Sequence, residues 1–140
     1  MTCVPDSEAF LHEANVAVLA TVDSKGRPHA APVWYLYEDG VIIMSTGPGS
    51  QKYKNVQANP GIALVMDKKT LPYYSITARG RAEIGPPLTD EQRIRMAVRY
   101  LGEDLGKRYF DATAGNDSVT ICLKPEKLIV YEGRAARTIR

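Results

Sequence analysis

The 140 residues include only two cysteines and two histidines. Cys3 and Cys122 lie far apart, make no CxxC pair, and show no metal-ligand spacing with His12 or His29. A disulfide framework and a structural metal site are therefore excluded as organising devices, which fits a reducing compartment. Cys122 is expected in a strand core and Cys3 near solvent. No stretch reaches the roughly 18 apolar residues of a membrane span. The first ten residues carry acids and a proline where a leader would have a basic start and an apolar run. A cytoplasmic protein without membrane contact is the expectation. Charge is nearly balanced, 18 basic against 16 acidic residues for a net +2. That excess is too small to argue for nucleic acid or an anionic membrane as partner. Neither HExxH nor a paired-carboxylate spacing occurs, and nothing around His12 or His29 suggests a nucleophilic triad. With no protein nucleophile or general base in view, any chemistry would be carried by a cofactor.

What is present is a succession of short β-type runs. The length suits one domain over residues 1–140, large enough to bury a core without staples. Asp6 or Ser7 can cap a short helix bearing Phe10 and Leu11. Val16 to Val22 is an apolar, β-branched run that reads as a strand buried on both faces. A turn at Asp23-Ser24-Lys25-Gly26 leads to a second strand, Pro28 to Tyr37. Asp39-Gly40 then signals a hairpin into a third, Val41 to Thr46. After Gly47-Pro48-Gly49, the segment Gln51 to Ala58 can make two helical turns, with Tyr53 and Val56 towards the barrel. Asn59-Pro60-Gly61 stops it.

Ile62 to Met66 and Tyr73 to Ile84 follow as strands. Gly80 marks a bulge or a close backbone approach in the second of these. Thr89 and Gln92 have capping-box spacing, and Ile94, Ala97, Val98 and Leu101 recur at helical intervals up to Gly102. Asp104 to Gly115 reads as irregular or partly helical, with Tyr109 and Phe110 packed. Val119 to Leu123 and Lys127 to Tyr131 close the fold, and the basic tail from Gly133 is expected to fray. Without βαβ alternation, a mainly β fold results: a small antiparallel barrel with peripheral helices.

The densest chemical information lies in Ser45-Thr46-Gly47-Pro48-Gly49-Ser50-Gln51-Lys52-Tyr53-Lys54-Asn55. A strand delivers two hydroxyls, glycines permit close approach, and a helix start offers free N–H groups with Ser50, Lys52 and Lys54 nearby. That combination can cradle a phosphate. The spacing is neither GxGxxG nor GxxxxGK[ST], so a capped surface helix with solvated lysines is the competing reading. Pro32 lacks an N–H and frees backbone groups of Pro32, Val33 and Trp34 for a planar heterocycle, though Trp34 itself reads better as a core or interface aromatic. Arg79 and Arg81 alternate on one strand face and suit either an anion or solvent.

Taken in order, Val18-Leu19-Ala20-Thr21-Val22, Gly26-Arg27-Pro28-His29, Pro32-Val33-Trp34-Tyr35, Ser45-Thr46, Lys52-Tyr53-Lys54-Asn55-Val56, Asn59-Pro60 and Arg79-Gly80-Arg81-Ala82-Glu83 resemble the pyridoxamine 5′-phosphate oxidase-like superfamily of FMN-binding proteins. Within it the chain is most similar to the actinobacterial group of deazaflavin (coenzyme F420)-dependent reductases. The resemblance covers about residues 10–83 well and the remainder loosely. It implies a homodimer of six-stranded antiparallel split β-barrels with two cofactor sites at the subunit interface. Lys52 would hold the cofactor phosphate, helped by Ser50 and neighbouring N–H groups. Ser45 and Thr46 would line the phosphate-side strand, and the backbone of Pro32 to Trp34 would lie along the ring system. Lys54 would serve an anionic tail, and by charge Arg79 and Arg81 are further candidates for it. Gln51 stands where FMN-binding relatives often carry arginine, and the substrate-phosphate Arg/His cluster has no match, which argues against pyridoxamine phosphate oxidation. The implied activity is hydride transfer between F420 and a small organic acceptor. An FMN-dependent oxidoreductase, or a non-catalytic flavin or F420 carrier, are the alternatives. Solvent or a tyrosine such as Tyr73 or Tyr74 would supply a proton.

Overall fold

The structure is a computed structural model and describes residues 7–133. Cys3, Asp6 and the basic tail after Gly133 lie outside the described residues. The elements, in chain order, are α1 (Ser7–Leu11), β1 (Ala17–Val22), β2 (Pro28–Val33), β3 (Leu36–Glu38), β4 (Val41–Thr46), α2 (Gln51–Ala58), β5 (Gly61–Asp67), β6 (Tyr74–Gly85), α3 (Asp90–Ala112), β7 (Val119–Leu123) and β8 (Lys127–Glu132). The strands form one curled antiparallel sheet in the order β2-β1-β5-β6-β7-β4-β3, with β8 also paired to β6. This is a split β-barrel with peripheral helices.

The split originates in β6. Its first half, from Tyr74 to Arg79, pairs with β8, and its second half, from Ala82 to Gly85, pairs with β7 on the same edge. Gly80 sits at the changeover, where a Cβ would meet Leu123 Cδ1 at 3.0 Å and the Glu126 nitrogen at 3.2 Å. The close approach expected at this glycine is what lets the β7–β8 connection cross the strand. The Asp39–Gly40 turn has positive φ at both residues, +50° and +77°, as a two-residue type I′ hairpin requires.

Two expectations are modified and one is resolved. The described residues carry eight strand segments where seven strands were read from the sequence, because Pro28 to Tyr37 splits into β2 and β3. At the break, the Tyr35 N–H turns away to the Tyr100 hydroxyl, 3.2 Å distant, and Pro32 falls on the edge strand β2, where its missing donor costs no ladder bond. Next, β1 is buried on one face only: Ala17, Leu19 and Thr21 point inward while Val18 and Ala20 are exposed. Nothing among the described residues covers that outer face. Finally, Gly102 ends the first helical limb with φ +84°, and of the two readings of Asp104 to Gly115, irregular or partly helical, the structure takes the helical one as far as Ala112.

The barrel is filled by inward residues of β1, β4, β5, β6 and β7, among them Leu19, Ile42, Met44, Leu64, Ile76, Ile121 and Leu123, all essentially inaccessible. Helix α1 plugs one end with Phe10, whose ring meets Tyr74 edge-on at 4.7 Å, and with Leu11. Fully burying each large side chain of this kind contributes about 1.5–3 kcal/mol.

Candidate functional site: a cleft between α2 and α3

A cleft of roughly 600 Å³ opens between β4, the start of α2 and the two limbs of α3. Its first wall is built by local geometry. Ser50 caps α2: its Oγ accepts the Tyr53 N–H at 3.2 Å and the Thr46 hydroxyl proton at 2.8 Å. Strand end and helix start are thereby locked together. Asn55, almost wholly buried, anchors the helix from below by donating to Thr21 Oγ1 at 3.0 Å and accepting from Gln51 Nε2 at 2.7 Å. The N–H groups of Gln51 and Lys52 precede the first intrahelical acceptor and meet no protein oxygen among the described residues. Lys52 lines the cleft and takes part in none of the ion pairs formed among those residues. A free ammonium, two N–H groups at a helix start and the Ser45 hydroxyl fit a phosphate in kind and in number.

The second wall comes from far along the chain. Thr89 caps α3 with a full capping box shared with Gln92. Gly102 then reverses the chain, and the second limb returns antiparallel along the first. Gly106 makes this possible: a Cβ there would lie 2.8 Å from the Cα and nitrogen of Val98. Arg93 closes the hairpin. Its Nη2 donates to the Phe110 carbonyl at 2.8 Å and to Thr113 Oγ1 at 3.0 Å, its Nη1 pairs with Asp90 at 3.1 Å, and its guanidinium lies 4.3 Å from the Phe110 ring centroid.

Trp34 joins the two walls. It lines the cleft while stacking on Tyr100 (5.0 Å between centroids, 4° between planes) and tilting against Tyr109 at 5.4 Å. Tyr100 and Arg99 bind α3 to the barrel. The Tyr100 hydroxyl donates to the Asn15 carbonyl at 3.0 Å, and Arg99 donates to the His12 and Glu13 carbonyls at 2.7 and 2.6 Å. Beneath them the Tyr35 hydroxyl is sealed in, donating to the Leu11 carbonyl at 2.9 Å. Its burial pushes the phenol pKa up to about 12.

Of the residues singled out in the sequence, the cleft gathers Pro32, Val33, Trp34, Ser45, Thr46 and Lys52. It does not gather the rest. Ser50 and Asn55 spend their polar atoms holding α2, and Gln51 is exposed on its surface. Lys54 is exposed away from the cleft, and Arg79 stands on the outer sheet face opposite Ala63 and Lys127. Tyr74 belongs to the barrel core and Tyr73 to an exposed loop, so neither lines the cleft. Sequence reasoning missed Leu88, Arg93, Met96 and Ala97 as wall residues and took Tyr109 and Phe110 for packing alone. The available signal was Gly102-xxx-Gly106, a spacing of small residues that permits close helix approach.

The chain belongs to the pyridoxamine 5′-phosphate oxidase family, whose model matches residues 4–131. Among solved structures it is similar to an F420 reductase, at 26% identity and TM-score 0.72 over 90% of this chain and 98% of that one. A conserved hypothetical protein from Mycobacterium tuberculosis matches at 24% identity and TM-score 0.72 over 92% and 86% of the two chains. An FAD-binding protein from Mesorhizobium loti matches at 22% identity and TM-score 0.66 over 90% and 91%. No curated protein matches the sequence significantly. Family and neighbours together define a flavin- or F420-binding class of split barrel. No helix among the described residues is long and apolar enough to cross a membrane.

Proposed function

We propose that this protein is a cytoplasmic oxidoreductase that uses coenzyme F420 to reduce a small organic acceptor. The observation that carries this reading is the cleft itself: the unpaired Lys52 ammonium and the open N-terminus of α2 at one end, and the backbone of Pro32 to Trp34 along its side. The similarity to an F420 reductase over nearly the whole of both chains supports the choice of cofactor. Lys52, the Gln51 and Lys52 N–H groups and the Ser45 hydroxyl would hold the phosphate. The Pro32–Trp34 backbone would align the ring system, and the α3 hairpin would exclude water. When bound, F420 supplies a hydride equivalent at its deazaflavin ring. The chain's own residues bind, orient and shield.

A second copy of the chain completes this reading. Val18, Ala20, Ala30 and Pro32 are exposed on the outer sheet face, and Val16 and Pro32 also line the cleft. On that same face strand β8 adds Ile129 and Tyr131, both exposed. An apolar sheet face continuous with the cleft mouth suits an isologous dimer that closes both sites.

FMN is the runner-up, favoured by one observation: among the described residues Lys52 is the one free cation in the cleft lining, which suffices for a single phosphate, while Lys54 and Arg79 lie outside. Titration of both cofactors at several salt concentrations separates the two. F420 is expected to bind more tightly at low salt and to weaken more steeply as salt rises, because its carboxylate tail adds screened contacts. Purified protein that retains stoichiometric FMN and shows no F420 binding would establish the runner-up. Bound cofactor that no acceptor reoxidises faster than it does free cofactor would indicate a carrier.

A further inference from the structure

The two walls of the cleft differ in what they can recognise. The wall built by β4 and α2 offers hydroxyls and a free ammonium. The facing wall carries the apolar and aromatic side chains Leu88, Met96, Trp34, Tyr109 and Phe110, edged by the uncharged polar residues Thr113, Asn116 and Ser118. Among the described residues the only cation on that side is Arg93, and its guanidinium is already engaged by Asp90, the Phe110 carbonyl, Thr113 Oγ1 and the Phe110 ring. It clamps the end of the second helical limb to the start of the first, so turning it towards a ligand would release the wall it supports. Asp117 adds a carboxylate to the lining. A substrate anion placed here would lose hydration without gaining a free cation, which is strongly unfavourable. A flat uncharged ring would gain by burial and by stacked or edge-on contacts with Trp34 and Tyr109.

From this asymmetry we infer that the α3 half of the cleft is a subsite for an uncharged, planar, apolar acceptor, with Tyr109 as its exposed wall and Arg93 as the clamp that holds this wall in place. The word acceptor rests on the proposed cofactor role of the opposite wall; the preference for a neutral ring does not. Phosphorylated and carboxylated substrates are thereby disfavoured.

Trp34 is the sole tryptophan, and it lines the cleft, so its fluorescence reports occupancy without turnover. The probes are 4-nitroanisole and 4-nitrobenzenesulfonate, which share a nitro-substituted ring and differ in charge. The neutral probe should quench Trp34 saturably and bind about tenfold or more tightly than the sulfonate. Tyr109→Ala, at a half-exposed position, should weaken it about fivefold while F420 or FMN affinity shifts less than about twofold. Equal or tighter sulfonate binding that disappears in Arg93→Gln would overturn the inference, making Arg93 an anion receptor. Neutral-probe binding indifferent to Tyr109→Ala would overturn it too, as would no binding of the neutral probe. The two readings fail separately. If the neutral probe behaves as expected and neither cofactor binds, the oxidoreductase reading falls and the ring subsite stands. If cofactor binds in a Lys52-dependent way and the neutral ring does not, the subsite alone falls.

Discussion

The two walls of the cleft were made in different ways. The wall proposed for phosphate is assembled mostly within eleven residues, Ser45 to Asn55, by hydrogen bonds three or four residues apart in sequence, with one longer tie from Asn55 to Thr21, 34 positions away. The α3 wall depends on partners far away along the chain: Tyr100 bonds to residues 65 and 85 positions distant, and Arg99 to residues 86 and 87 positions distant. A site edge encoded locally is rigid wherever the barrel is folded. An edge encoded by long-range contacts is set only when the helical hairpin docks. The difference suits a division of labour in which one wall holds a constant group and the other is free to vary in what it accepts.

The comparison breaks most severely at Asn55. Asn55→Ala leaves the Thr21 hydroxyl and Gln51 amide without their buried partner. The expected loss is about 2–3 kcal/mol, or roughly 5–10 °C in Tm, measured by thermal melting. Cofactor affinity should fall with it, while Trp34 emission, set by the other wall, stays unchanged. A melt within 2 °C of wild type would show that the phosphate wall is held by something else.

Tyr35 tests the long-range wall through pH. Its folded pKa is raised from 10.0 to about 12, so its contribution to stability is complete below pH 10 and is lost as pH rises from 10 to 12. The loss is at most about 2.7 kcal/mol, two units at about 1.4 kcal/mol each. Urea unfolding across that range should show a steeper fall for wild type than for Tyr35→Phe, whose own loss of two hydrogen bonds is independent of pH. Parallel curves would mean that the phenol is not sealed.

Gly106→Ala has the smallest expected effect on stability, about 1–2 kcal/mol, because only the second limb must shift to accommodate the new methyl. Its signature is local. Trp34 emission should move to the red as Tyr109 withdraws, with Lys52-dependent cofactor binding retained. An unchanged emission maximum would argue that the hairpin does not pack on Trp34.

The same division explains what the sequence disclosed. The Asp39-Gly40 hairpin, the Ser50 cap and the Thr89–Gln92 capping box are written in adjacent residues, and so is the place of Lys52 at the start of α2. The split in the second strand was not visible, because it follows from Tyr100 capturing the Tyr35 N–H. Burial of β1 on both faces was a misreading of Val16 to Val22: a continuous apolar run looks the same whether its second face meets a core or a surface that remains bare in the single chain. Arg93 resembled one more helix-surface charge, since its partners Phe110 and Thr113 adjoin it only after Gly102 reverses the chain. Lys54 and Arg79 were grouped with Lys52 by charge, yet helix phase and strand face carry them away from the cleft.

The central claim is that the Lys52 end of this cleft holds a cofactor phosphate. F420 titration by fluorescence, run on wild type and Lys52→Ala, tests it most directly. Loss of a charge-assisted bond worth about 1.5–3 kcal/mol predicts affinity weaker by about one to two orders of magnitude, with Tm in the absence of cofactor unchanged. Equal affinity in the two proteins would contradict the account and move the phosphate to another site.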